Sequence, residues 1–136
     1  MDNGYNPIRW QCKSNGCYLT ECHPKIEIFA ECFTGKIAFS DIDAITEINN
    51  KFLLMEWKGV GGEVTGGQDR MFRSLMQRDD FTVFLVYGDS KTMEVFYYLR
   101  YHKNHVYKRR NGTLETLKKQ FEIWERWARN DLQEWN

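Results

Sequence analysis

The sequence predicts a mixed α/β (α+β) fold in which a central sheet is flanked by helices. Three observations carry this: apolar patterning runs in the order helix, strands, helix, strands, helix; no internal repeat is present; and Asn49-Asn50 sits between two strand-like runs. The 136 residues fit one domain, and 42% hydrophobic with 15% aromatic residues is the composition of a packed core. We therefore expect a single domain over 1–136, with residues 1–23, rich in Gly, Asn and Cys, as an irregular leader.

Pro24 suits a first helical turn, and Ile26, Phe29, Ala30 and Phe33 then share one face of a short helix that ends before Gly35. Residues 36–48 and 51–58 read as strands. Asn49 and Asn50 tolerate the positive φ angles of a two-residue turn, which predicts a tight hairpin. Five glycines between 59 and 67 form a connection, and Met71, Phe72, Leu75 and Met76 mark the apolar face of a helix beginning near Gln68. Strands are expected over 81–87, 95–101 and 105–108. Thr113 then caps a last helix carrying Leu114, Leu117, Phe121, Trp124, Ala128 and Trp135.

Nineteen basic residues balance nineteen acidic ones, so a polyanion would have to be met by a local patch. The N-terminal stretch lacks a basic region followed by an apolar run, and no segment reaches the roughly 18 to 20 apolar residues of a membrane span. A soluble, cytoplasmic protein with no membrane partner is the expectation. Cys12, Cys17, Cys22 and Cys32 with His23 provide enough soft ligands for a structural Zn²⁺; the alternative is a set of buried thiols.

If Asn49-Asn50 is the turn, Ile48 faces Lys51, Ile45 faces Leu54, Asp43 faces Glu56 and Asp41 faces Lys58. Directly opposed residues share a face with Cβ atoms about 4.5–5.5 Å apart, so the carboxylates of Asp43 and Glu56 converge. Both faces of this hairpin are substantially apolar, with Ile42, Ala44, Ile48, Leu53, Met55 and Trp57 on one and Ile45, Phe52 and Leu54 on the other. A partly buried pair of like charges is relieved by a proton, a neighbouring cation or a metal, and Mg²⁺ (or Mn²⁺) suits two carboxylates plus the Trp57 backbone carbonyl. The competing reading is a surface ion-pair cluster at the hairpin's open end. Gln68, opening a helix after a glycine-rich loop, adds a third element able to fold over the charges.

The phrase SDIDAI…FLLMEWK, followed by GGQ before a helix, resembles the PD-(D/E)XK nuclease superfamily, in particular its small phage-type and replication-repair, Holliday-junction-resolving members. Asp43 falls at the motif's aspartate, Glu56-Trp57-Lys58 at its E-x-K element, and Gln68 at an extra glutamine. Ser40 and Ile42 stand where the family name would place a proline. The resemblance implies a restriction-endonuclease-like core whose Asp/Glu-bearing hairpin catalyses metal-dependent phosphodiester hydrolysis in DNA, branched DNA included, with Asp43, Glu56, Lys58 and Gln68 as the catalytic set. Some relatives add a first-helix glutamate, for which Glu27 and Glu31 are both candidates.

In such a site Lys58 orients the attacking water and offsets developing charge. Asp41 either pairs with Lys58 or binds a second ion. The run YHKNHVYKRRN offers Lys103, Lys108, Arg109 and Arg110, interleaved with aromatics, for nucleic-acid contact; a charged turn is the alternative. Resolving a junction takes two active sites, so a homodimer is expected; Trp124, Trp127 and Trp135 read as core packing, and a stripe of them left exposed would be the dimer surface. The contrasting function is a nuclease-like fold that binds nucleic acid or a host protein without catalysis.

Overall fold

A computed structural model describes residues 24–59 and 61–135. The chain divides between Ser40 and Asp41 into two units. In the first, Ile26–Cys32 forms a 3-10 helix with no buried residue, where an α-helix with an apolar face was expected. A segment so short that buries no face has too little packing to hold α-helical geometry. Phe39 instead meets Phe29 and Phe33 edge-on, with ring centroids 6.0 and 5.4 Å apart.

The second unit is α+β, a six-stranded mixed sheet with helices against it. Its hairpin joins β1 (Ala44–Ile48) to β2 (Lys51–Lys58) through Asn49 and Asn50, whose φ angles of 56° and 65° are those of the expected two-residue turn. The register is also the expected one, with Ile48 opposite Lys51 and Ile45 opposite Leu54. Asn49 Nδ2 ties the turn to the Ala128 carbonyl at 3.2 Å.

Beyond Lys58 the chain crosses through α1 (Gly66–Met76) into β3 (Phe81–Asp89), which lies parallel to β2. Thr65 and Gln68 form a reciprocal capping box at the start of α1, so the helix opens two residues before the expected Gln68. Antiparallel β4 (Glu94–His102) follows, and β5 (His105–Val106) and β6 (Arg110–Asn111) both pair with it. Then α2 (Leu114–Ala128) begins at Thr113, which caps as expected.

The helices pack against opposite faces of the sheet. Leu54, Val83, Leu85 and Tyr101 bury Phe72 and Met76 of α1. Leu53, Phe84, Val86, Val95 and Tyr98 bury Leu117, Trp124, Trp127 and Ala128 of α2. Covered on both sides, Val83 to Val86 form an uninterrupted apolar run, as central strands do.

Two further expectations need correction. The first strand does not start at residue 36: pairing begins at Ala44, opposite Met55. Trp135 is not on the last helix, which stops at Ala128 because Asn130 takes a left-handed φ of 65°. The chain then turns back and lays the Trp135 ring 5.9 Å from Phe84 and 5.0 Å from His102. Trp124, Trp127 and Trp135 are all buried, the core packing expected of them, so they leave no stripe for a partner. No described helix is long and apolar enough to cross a membrane.

Candidate active site

Strand alternation places Glu56 and Lys58 on the same face of β2 as Leu54, the face that α1 covers. Glu56 is only 8% exposed, and Lys58 keeps 18% of its side chain open. The two charges lie 3.9 Å apart, Nζ to Oε1. Lys58 Nζ also donates to Gln68 Oε1 at 2.9 Å. That oxygen in turn accepts the Thr65 N–H at 3.4 Å while Thr65 Oγ1 accepts the Gln68 N–H at 3.1 Å, so the group holding the ammonium is itself held by the helix start.

Asp43 lies one residue before the β1 ladder begins. Its Oδ2 accepts the backbone N–H of Trp57 at 2.7 Å. Continued pairing would direct that N–H to a carbonyl on the neighbouring strand. The carboxylate takes it instead, which ends the ladder and brings Asp43 beside Glu56.

The electrostatics follow from this placement. Burial, then the Asp43 charge and a hydrogen bond with the Asp43 carboxyl, push Glu56 up to about 7; Asp41 adds to the rise and Lys58 opposes it. Near neutrality Glu56 therefore still binds a proton when nothing else neutralises it. Asp41 acts on Glu56 at longer range.

Among the described residues, no group of three or more His, Cys, Asp and Glu side chains converges on a point. Two carboxylates and a carbonyl nonetheless fit Mg²⁺, which is held by one or two carboxylates and keeps most of its waters. A buried acid that must otherwise bind a proton is the donor such an ion replaces. Of the zinc candidates, Cys32 is an exposed free thiol, and Cys12, Cys17, Cys22 and His23 lie outside the described residues.

Two residues that the sequence did not single out extend the site. Lys58 pairs with Tyr87, and Tyr87 with Tyr97, so the three form a row across β2, β3 and β4 on one face. The tyrosine rings stack at 4.5 Å, and the Arg109 guanidinium lies 4.3 Å from the Tyr97 centroid. Gly88 follows at a register shift; a Cβ there would collide with the Glu94 carbonyl and come within 2.9 Å of the Trp57 ring. Only a bare backbone allows β3 and β4 to close beside this row.

The four basic candidates do not form one patch. Lys103 follows His102, whose neighbour Thr82 is level with Leu53; at about 3.3 Å per residue that is about 17 Å along the sheet from the level of Lys58. There it lies 5.6 Å from the Trp127 ring, which Lys51 also approaches. Lys108 and Arg110 line a cleft with Tyr98 and Arg100, on the α2 face. Arg109 alone of the four stands in the Lys58 row. The turn at Lys103-Asn104, with φ of 48° and 61°, separates the first cation from the rest.

Compared with protein-family models, with curated proteins and with solved structures, the chain matches none.

Proposed function

We propose that this protein is a metal-dependent endonuclease that hydrolyses phosphodiester bonds in DNA, branched DNA among them, through a restriction-endonuclease-like core of the PD-(D/E)XK type. One observation carries the reading: a buried Glu56 is hydrogen-bonded to Asp43, beside a lysine held by Gln68. Asp43, Glu56 and the Trp57 carbonyl hold the ion. When bound, a divalent cation polarises a phosphate oxygen and lowers the pKa of a coordinated water.

The remaining work falls to the chain's own groups. Lys58 has three N–H donors, of which Gln68 engages one and Glu56 lies near a second. The third is free to orient the attacking water and to offset the negative charge that grows on phosphorus oxygens as a P–O ester bond breaks. Gln68 fixes the ammonium so that this donor needs little reorganisation. Tyr87, Tyr97 and Arg109 extend a stacking and cationic strip from Lys58, suited to an unpaired nucleotide next to the scissile phosphate. Symmetric cleavage of a four-way junction uses two such sites, which a pair of chains supplies.

A cleavage assay on linear, flapped and four-way DNA with and without Mg²⁺ tests the reading. Cutting that needs Mg²⁺ and is lost in Lys58→Ala supports it. DNA or host-protein binding without cutting on any substrate would replace it with a non-catalytic binder.

A further inference from the structure

Arg100 is 6% exposed, and its Nε has no hydrogen-bond partner among the described residues. Its guanidinium carbon lies 3.8 Å from the Tyr107 ring centroid and 4.2 Å from that of Trp135. The Tyr107 N–H, bonded to the Arg100 carbonyl at 2.8 Å, keeps the first ring in place. Arginine does not give up its proton, and a buried charge is costly unless an opposite charge compensates it.

Among the described residues no such charge faces Arg100. None of the ion pairs among the described residues involves it. Burial pushes its pKa down, and Arg110 pushes in the same direction; the Tyr107 hydroxyl opposes them and no carboxylate takes part. Two aromatic rings lie against the guanidinium, the Tyr107 hydroxyl accepts a hydrogen bond from it, and the remaining N–H donors point outward from its edge. Arg100 lines a small solvent-open cleft of about 20 Å³, whose other walls are Tyr98, Tyr107, Lys108, Arg110 and Gln120.

We propose that this cleft is a phosphate-binding site, with Arg100 as a preorganised fork and Lys108 and Arg110 as its exposed cations. A guanidinium edge matches a tetrahedral oxyanion through two parallel hydrogen bonds. Three positive charges without a carboxylate balance a phosphate better than a singly charged acid. Arg100 pairs with Phe84 on the α2 face, whereas Glu56 and Lys58 stand on the α1 face, so the cleft is separate from the candidate active site and independent of the function proposed for it. The phosphate belongs to a free phosphomonoester or to a nucleic-acid backbone.

Calorimetric titration of the full chain at fixed ionic strength tests the site, using inorganic phosphate, acetate, dAMP and a short DNA strand. We expect saturable one-site phosphate binding, weakened at least about tenfold in Lys108→Ala/Arg110→Ala. Both positions are exposed, so that variant keeps the fold. Arg100→Gln, checked for folding by circular dichroism, should bind no phosphate. Tighter binding of dAMP than of the strand assigns the site to a free phosphomonoester, and the reverse assigns it to a backbone; each supports a phosphate site. Absence of saturable heat with phosphate, acetate binding as tightly as phosphate, or a double variant that binds like the parent would overturn it.

Discussion

Lys58 Nζ and Gln68 Oε1 meet at 2.9 Å, joining the end of β2 to the capping box of α1. One side chain thus closes a helix and aims an ammonium. Lys58→Ala should cut the rate by about 100-fold or more, the usual loss for a donor acting on transition-state charge, with the circular dichroism spectrum unchanged. Gln68→Ala should lower both stability, by about 1 kcal/mol for the lost cap, and rate. Gln68→Glu preserves the capping box and offers the lysine a carboxylate, so it should restore the stability. Full activity in Lys58→Ala would remove the lysine from the mechanism.

The Glu56 carboxyl makes the stability of the metal-free protein fall from weakly acidic to neutral pH. Its pKa is raised from 4.5 to about 7, so the folded state holds a proton that the unfolded state has lost between those values. The stabilisation is complete below about 4.5 and disappears as pH rises through about 7. Without divalent ions the melting temperature should therefore fall over this range, and Glu56→Gln should flatten the fall. A cation competes with that proton, so Mg²⁺ should raise the melting temperature more at pH 8 than at pH 5.5. An equal Mg²⁺ effect at both pH values would count against ligation by Glu56.

His102 produces the opposite slope. It is 2% exposed, its Nδ1 lies 2.8 Å from Thr82 Oγ1, and burial followed by Arg100 and Lys103 lowers its pKa from 6.5 to about 4. The unfolded state takes up a proton first as pH falls. Stability from this group is whole above about 6.5 and is lost toward about 4, on the order of 3 kcal/mol at 1.36 kcal/mol per unit. Urea melts between pH 4 and 7 measure it, and His102→Asn should reduce the dependence.

Arg109 over Tyr97 should contribute to binding single-stranded DNA through its charge. Arg109→Ala is expected to weaken binding and to reduce the salt slope by about 0.7, the value for one phosphate contact on a single strand. Fluorescence anisotropy across a salt series measures both. Lys103→Ala, at the far end of the sheet, should leave cleavage unchanged.

The hairpin register was legible in the sequence because Asn49-Asn50 fixes the turn, and a turn of known length fixes the parity of every residue after it. The pairing of Lys58 with Tyr87 was not. A parallel register depends on how α1 packs during the crossover, and no local pattern encodes that. Gln68 was recognised for its place after the glycines, yet Thr65-Gly-Gly-Gln68 also spells a capping box that dates the helix start to Thr65. Trp135 kept helical spacing by coincidence; Asn130 was the signal that the helix had ended. The parity of the turn puts Asp43 level with Glu56, but the ladder stops at Ala44, and the Asp43 carboxylate rather than a backbone carbonyl accepts the Trp57 N–H.

β1 is the outermost strand, bonded to β2 alone, and five residues long. Fraying should start at its Ala44 end, since the Asn turn clamps the other, and amide exchange there should outpace that of β3. Each such excursion would release the Trp57 N–H and carry Asp43 away from Glu56. A ligand that bridges the two acids would slow that exchange, giving a readout of occupancy that needs no catalytic turnover.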